Sequence, residues 1–246
     1  MGSLKETILQ LKEIDKRYPT FVSRILGKTS YRVFGARGHN YELLPTLSES
    51  EIIAFEQRHN IKLPEDYRLF LQEVCNGRAG PGYGLKTLEE AADVGDLSRP
   101  FLLTRSSQLY SDAELQTMGF EDETLGLLQL CHHGCGMHTY LVVNGPTYGT
   151  LWFEDGNFVP TGQSFLTWYR EWAEGELQRL LNEPLADKIK VGMTTTEVIA
   201  LTAGDWKEKV VEATATRPST RYFNCPDFRA QLKLDEHGKV IHIRRY

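Results

Sequence analysis

From Leu47 to Cys75 the apolar residues recur with a helical period that is interrupted once, at Ile61 to Pro64. Ser48 and Glu51 have the spacing of a capping box, and Leu47 and Ile52 that of a hydrophobic staple. These signals predict a helix over residues 48–58. Pro64 suits a first helical position, where its missing N–H costs nothing, and Glu65 and Asp66 suit the positive helix end. Tyr67, Phe70, Leu71, Val74 and Cys75 then follow at i, i+3, i+4, i+7 and i+8, a single buried stripe that predicts a second helix over 64–76. Asn76-Gly77 reads as its stop. Leu4, Ile8, Leu11 and Ile14 repeat the same period over 3–16. Residues 18–46 are weakly patterned and read as loop with short strand. Residues 87–93 read as one helical turn, and 94–124 as a polar loop of a length that is often functional.

The pattern then changes. Leu125 to Cys131, Thr139 to Val143 and Gly149 to Glu154 are short apolar or alternating runs, separated by His133-Gly134-Cys135-Gly136 and Asn144-Gly145-Pro146. They predict a β-meander, with Asp155-Gly156-Asn157 turning onto Phe158-Val159. A helix is expected from about Gln163 to Asn182. Its apolar side holds Phe165, Trp168, Tyr169, Trp172, Leu177, Leu180 and Leu181, a density of rings that calls for a flat sheet beneath. Asn182-Glu183-Pro184 is expected to break it. The fold class is therefore α+β. An antiparallel-containing sheet packed with helices occupies residues 1–186, with an N-terminal helical extension, and a small α/β module of unknown role occupies 187–246. In that module Thr194 and Glu197 form a further capping box. Phe228, Ala230, Leu232 and Leu234 alternate before a turn at Asp235-Glu236-His237-Gly238 and a returning strand from Val240 to Ile243.

Charge adds an asymmetry. Residues 187–246 carry 11 Lys and Arg against 8 Asp and Glu, net +3, which leaves 17 against 25, net −8, in residues 1–186. The acidic excess concentrates at Glu89, Glu90, Asp93 and Asp96, and again at Asp112, Glu114, Glu121, Asp122 and Glu123. Solubility explains such a balance, and so does a face that steers a basic partner. Phosphate contacts need clustered Lys and Arg, so the balance argues against direct nucleic-acid binding by the main domain. Four irregularly spaced cysteines do not make a disulfide framework. The charged N-terminus has no apolar signal region, and no run approaches the ~18 apolar residues of a membrane helix. A cytoplasmic protein without membrane association is expected.

The most reactive-looking segment is Cys131-His132-His133-Gly134-Cys135-Gly136-Met137-His138, which holds two thiols and three imidazoles. Zinc would use such donors, but a structural site needs a distant second pair, and Cys225 and His237 are isolated. A Cys135 nucleophile with His132 or His138 as base lacks an orienting Asp or Asn, and neighbours in sequence seldom reach triad geometry. Turn residues with core cysteines are the better reading, with no catalytic residue, metal or cofactor assigned. Gly80-Pro81-Gly82-Tyr83-Gly84 follows a helix and contains proline, so close backbone packing explains it better than a phosphate cradle. Glu89-Glu90 and Glu154-Asp155 read as solvated charge.

An ordered set of motifs carries a resemblance. Glu51-Ile52 with Phe55-Glu56, then Ile61-Lys62-Leu63-Pro64-Glu65-Asp66-Tyr67 with Phe70-Leu71, then Asn76-Gly77-Arg78-Ala79-Gly80-Pro81-Gly82-Tyr83-Gly84-Leu85 resemble the SUKH superfamily of SMI/KNR type. Gly134-Cys135-Gly136, Leu141 to Gly145, Gly149-Thr150-Leu151-Trp152 and Phe165 to Tyr169 continue the pattern in order, so that the resemblance spans roughly 40–182. It implies a bacterial immunity protein that is not an enzyme and neutralises a cognate polymorphic toxin by occluding its active site. An alternative is an intracellular adaptor like the fungal cell-wall regulators that founded the superfamily, although the long disordered flanks of those proteins have no counterpart in this sequence. A zinc or cysteine-dependent enzyme centred on 131–138 is the other. Under the immunity reading, Tyr83 and Tyr110 are candidate anchors, and Glu89, Glu90, Asp93, Asp96, Asp112, Glu121, Asp122 and Glu123 candidate steering charges toward a basic toxin such as a nuclease. Val191-Gly192-Met193-Thr194 with Glu197-Val198 also resembles the start of SmpA/BamE-like modules.

Overall fold

A computed structural model of the chain describes residues 3–16, 31–118, 120, 124–186, 188–202, 206–211, 219–225 and 230–245. The chain divides into two compact units, Met1–Glu174 and Gly175–Tyr246. In the first, helix α1 (Leu4–Lys16) buries Leu4, Ile8 and Leu11. Asp15, in its last turn, is wholly buried. Its carboxylate accepts the backbone N–H of Arg32 at 2.6 Å and the hydroxyl of Tyr41 at 2.7 Å, which satisfies the charge and ties α1 to the residues on either side of the short helix α2 (Ala36–His39).

Helix α3 (Glu49–His59) starts in the anticipated capping box: Ser48 N–H donates to Glu51 at 2.7 Å, and Glu51 N–H donates back to Ser48 Oγ at 3.3 Å. It ends at Asn60 in the left-handed region. Helix α4 (Glu65–Glu73) is shorter than its apolar stripe predicts. Pro64 is its N-cap rather than its first helical residue, and the helix closes at Val74, before Asn76-Gly77. All five stripe residues are nonetheless buried. Burial follows side-chain direction, which outlasts the final helical hydrogen bond by a residue or two.

Arg68 joins α3 to α4. Its guanidinium contacts Glu56 at 2.6 Å and also bonds Glu49, with the Arg68 and Glu56 side chains only 15% and 10% exposed. Glu56 also accepts Leu63 N–H at 2.8 Å. Replacing Arg68 with methionine leaves Glu56 shielded from water without its counter-ion, so stability should fall by about 2 kcal/mol. Urea denaturation reads this directly, and an unchanged midpoint would show the pair to be energetically neutral.

Helix α5 (Leu88–Ala92) is the expected turn after 87, and its capping box joins Thr87 to Glu90. The segment 94–124 departs from the polar-loop expectation. It contains a 3-10 turn (Ser107–Leu109) and helix α6 (Asp112–Thr117), which begins in a third capping box, Ser111 with Glu114. Phe101 and Leu103 are buried with Leu127, Tyr140, Val142, Trp152 and Phe158, and Val94, Tyr110, Leu115, Met118 and Phe120 pack against this cluster. The segment is thus a cover for one face of the sheet. Its apolar residues are spaced too irregularly to show a period.

That sheet is the predicted meander: β1 (Leu127–Gly134), β2 (Met137–Val142), β3 (Leu151–Glu154) and β4 (Phe158–Pro160), antiparallel in that order. The β1–β2 turn is tighter than expected. Only Cys135 and Gly136 form it, at φ of 52° and 78°, the pair of positive values a two-residue turn of this hand requires. His132 to Gly134 therefore belong to the strand. Leu128, Leu141 and Leu151 lie in register on fully buried positions of neighbouring strands.

Helix α7 (Phe165–Ala186) runs through Pro184 instead of breaking there. A proline removes one helical hydrogen bond, and here that loss does not end the helix. The aromatic partners of α7 are those of another helix. Phe165 meets Tyr67 and Phe70 at 4.6 and 4.8 Å, Tyr169 meets Phe70 at 4.7 Å, and Tyr169 donates its hydroxyl to Ala79 O at 2.8 Å. Asp66 of α4 in turn accepts Leu166 N–H at 3.0 Å. The density of rings on α7 is matched by the stripe of α4.

The second unit contains helix α8 (Thr195–Thr202), opened by the anticipated Thr194–Glu197 box, and an antiparallel sheet of β5 (Lys207–Val211), β6 (Thr220–Cys225), β7 (Ala230–Leu234) and β8 (Val240–Arg245). Its core is Ile189, Val198, Trp206, Phe223, Leu232, Leu234 and Val240. The terminal hairpin is the predicted one, although Phe228 lies outside the described residues. The first two strands carried no clear alternation in the sequence. Among the described residues no helix is long and apolar enough to cross a membrane.

Candidate interaction surface

Strand β1 is the outer strand of its sheet, and the glycine-rich segment after α4 lies along its open edge. Tyr83 N–H donates to His132 O at 2.9 Å and Lys86 N–H to Leu130 O at 2.8 Å, pairing backbone groups that an edge strand would otherwise leave open. Gly82 makes this approach possible. It sits at φ 60°, and a Cβ there would stand 2.3 Å from His132 O. Gly35, just before α2, packs as closely on Gly82, whose carbonyl oxygen would be 1.7 Å from an added Cβ. The run that read as backbone packing rather than a phosphate cradle is therefore the middle of three backbones in contact.

Tyr83 stands on this frame. Its ring is 53% exposed, stacks on His132 at 5.6 Å with planes 24° apart, and touches Phe34, itself 56% exposed, at 5.3 Å. His132 is paired across the strands with His138, their rings 4.9 Å apart, and His138 with Glu154. The imidazole Nδ1 of His138 is 2.9 Å from the Glu154 carboxylate. A row of aromatic rings and imidazoles thus crosses the sheet from Phe34 to a carboxylate. Rings held by their neighbours lose little freedom on contact, the condition for a binding anchor.

Beside this ledge, α2, the 78–86 segment and α5 enclose a groove of about 460 Å³. Arg78, Tyr83, Lys86, Glu90 and Asp93 line it, with His39 in its wall. His39 is 2% exposed. Its Nδ1 accepts Tyr41 N–H at 3.0 Å, which assigns the ring proton to Nε2, and Nε2 has no hydrogen-bond partner among the described residues. Burial lowers the imidazole pKa to about 4. Burial also holds Lys86 below the ordinary lysine value, against the pull of Glu90 and Asp93, while its ammonium bonds Gln129. Glu90 is held below the usual carboxylate range, first by Thr87 N–H and less strongly by Arg78 and Lys86.

Of the residues singled out in the sequence, the groove gathers Tyr83, Glu90 and Asp93. Glu89 is turned to Arg58 at 2.5 Å. Asp96 accepts Ser98 N–H at 2.9 Å and Ser98 Oγ–H at 2.7 Å, bonds that lower its pKa. Asp112 opens α6. Tyr110 is half-buried against the core; Thr104 N–H donates to its hydroxyl at 3.0 Å, and the Arg105 guanidinium lies 4.4 Å from its ring centre. Tyr110 and Asp112 thus belong to the 94–124 cover rather than to the groove. Glu121, Asp122 and Glu123 lie outside the described residues. No local pattern in the sequence marks Phe34, His39, Arg78, Lys86 or His132 as groove or ledge residues. Phe34 and His39 fall in the weakly patterned segment, and nothing local to the others shows that they converge.

The hairpin donors divide by strand alternation. The Cys131 thiol is buried, which raises its pKa to about 12, and it lies 3.3 Å from His133 Nε2, which is also 2.8 Å from Thr139 Oγ1. His132 and His138 face the ledge instead. Cys135 is exposed at the turn, and among the described residues no hydrogen bond joins it to an imidazole. Among those residues no three His, Cys, Asp or Glu side chains are grouped to hold a metal ion. The protonated Cys131 thiol is a poor nucleophile.

No curated protein and no solved structure matches the chain. The model of one family does, over residues 46–171, just over half of the sequence, which takes in α3, α4, the edge-covering segment, the 94–124 cover, the whole meander and the start of α7. The chain belongs to the SMI1 / KNR4 family (SUKH-1).

Proposed function

We propose that this is a binding protein of the immunity type, which neutralises a cognate protein toxin by covering its active site. The observation that carries this reading is the exposed Phe34–Tyr83 pair, fixed on closely packed backbone within a member of a family for which such a role fits. Large exposed rings on a rigid frame are the residues that supply most binding energy in protein interfaces. The acidic excess of residues 1–186 favours a basic toxin, and a nuclease is the toxin class we favour. Tyr83 is the principal anchor, with Tyr110 as a second contact. Glu89, Glu90, Asp93, Asp96, Asp112 and the 121–123 acidic run are proposed steering charges. The protein acts without catalysis and in the cytoplasm, where such a toxin would otherwise reach its target.

The test pairs this chain with the toxin domain encoded beside its gene. A stoichiometric complex with loss of toxin activity supports the reading; full toxin activity beside excess protein overturns it. Within such a complex, Asp93→Lys should slow association severalfold and flatten its salt dependence while leaving dissociation nearly unchanged. Stopped-flow traces identical to wild type at every ionic strength would place the interface elsewhere.

A further inference from the structure

The geometry points to the outer face of the second sheet, β5 to β8, as a surface that binds a single strand of nucleic acid, with bases stacked on Tyr222 and phosphates held by the lysines on either side. The inference goes beyond the immunity reading and is tested without a toxin.

The two faces of this sheet are unlike. One carries Phe223, Leu232, Leu234 and Val240 into the core of the unit. On that same side Arg221 is paired with Glu208 at 2.5 Å. Strand alternation sends the residues between these to the other face. There Lys209, Tyr222, Lys233 and His242 stand in register across the four strands. The next row, about 7 Å along the strands, is Lys207, Asn224, Gln231 and Arg244. Gln231 Nε2 donates to Asn224 Oδ1 at 3.0 Å, as side chains on one face can. Lys207, Lys209, His242 and Arg244 are exposed, and Tyr222 and Lys233 are half-buried.

A solvated surface ordinarily mixes both signs of charge. The described strand residues of this face carry four cationic side chains, Lys207, Lys209, Lys233 and Arg244, and no carboxylate. Carboxylates of the unit are engaged elsewhere. Glu197 caps α8, Glu208 lies on the core-facing side, and Asp235 accepts the N–H groups of His237 and Lys239 in the β7–β8 turn. The acidic excess that argues against phosphate contacts in residues 1–186 does not extend to 187–246, which carry net +3.

The ring and the amides decide among anionic occupants. Tyr222 lies in a central strand with Lys209 and Lys233 on its two neighbours, each about 4.8 Å away, so a base stacked on the ring keeps its phosphates within reach of an ammonium. The Gln231–Asn224 bond leaves Asn224 Nδ2 and Gln231 Oε1 side by side, a donor and an acceptor that match the edge of a base. An acidic peptide would use the charges and leave the ring without a role. A lipid surface would draw on aliphatic side chains, and the two rows hold none.

The experiment titrates the full chain into a fluorescein-labelled oligothymidylate of about 12 nucleotides and reads anisotropy over a series of salt concentrations. Wild type should bind in the micromolar range at low salt, and log K should fall against log salt with a slope of about −2 to −3, the value for three or four neutralised phosphates. Lys233→Gln should reduce that slope by about 0.7. Tyr222→Leu should weaken binding about tenfold and leave the slope unchanged, because it removes stacking and no charge. Lys190→Gln removes an equal, exposed charge outside the sheet and should alter neither quantity. Absence of binding by wild type, the same loss of slope from Lys190→Gln as from Lys233→Gln, or full affinity in Tyr222→Leu would overturn the assignment. Equal affinity of wild type for polyglutamate or for phosphatidylserine vesicles would overturn it as well, in favour of a protein or a lipid occupant.

Discussion

Gly35→Ala is expected to cost about 4 kcal/mol of stability, and to leave a chain that unfolds far earlier in urea than the wild type. Two effects combine. The residue sits at φ 74°, a region that alanine enters at a cost of about 1–2 kcal/mol. The added Cβ would also lie 1.7 Å from Gly82 O and 2.6 Å from the carbonyl carbon, both backbone atoms that cannot swing aside. Gly82 in turn is pinned against His132 O, so relief at one contact tightens the next. Gly136→Ala supplies the comparison. Its φ is 78°, but a Cβ there meets nothing within 4 Å, so it should lose only the conformational term, about 1 kcal/mol. Similar losses for the two variants would mean that the three backbones are not packed as described. Tyr83 should follow its frame: any folded Gly35→Ala protein should bind partner more weakly through disorder of the ledge.

Lowering the pH from 6.5 to 4 should remove about 3 kcal/mol of stability through His39 alone. The folded imidazole titrates near 4 because burial disfavours its charged form, against 6.5 for the free side chain. Above pH 6.5 neither state takes up a proton, and the contribution is fully present. Between 6.5 and 4 the unfolded chain binds a proton that the folded chain resists, so stability declines by about 1.4 kcal/mol per unit until the folded group also titrates. Glu51, Asp96, Glu114 and Glu197, whose pKa values are lowered by their own local hydrogen bonds, lose their contributions in more acidic solution, but they do so in any variant. Comparing urea midpoints of wild type and His39→Gln across pH 4 to 7.5 isolates the histidine. The variant should show a shallower slope in that window; parallel curves would place a charged imidazole in the folded protein.

Much of the architecture was readable one segment at a time. The capping boxes of α3 and α8 and the stripe of α4 are local, because a cap and the face it serves lie within a few residues. The meander was readable for the same reason: alternation and turn residues are neighbours in the chain, and the terminal hairpin from β7 to β8 follows suit. The misreadings share a cause as well. Segment 94–124 reads as loop because its core residues, the buried Phe101 and Leu103 and the half-buried Leu115 and Met118, answer to the shape of the sheet and not to a period of their own. Pro184 looked like a terminator because a propensity is only a bias that the rest of the helix can outweigh.

The candidate site divides in the same way. Tyr83 stands out in the sequence as an aromatic anchor and Glu90 and Asp93 as members of an acidic cluster, and the acidic balance of residues 1–186 is a property of the sequence alone. What faces them is not. Phe34 reaches Tyr83 from 49 positions away, and His132 from the same distance on the other side, because Gly35 and Gly82 allow three backbones to touch. His39 becomes a buried and neutral donor, without a partner among the described residues, only once α2 is folded beside the 78–86 segment. The sequence by itself determined the helices, the meander and the charge, since those depend on spacing along the chain. The tertiary structure decided which side chains share the ledge and which donors line the groove, since burial and contact between distant residues exist only after packing.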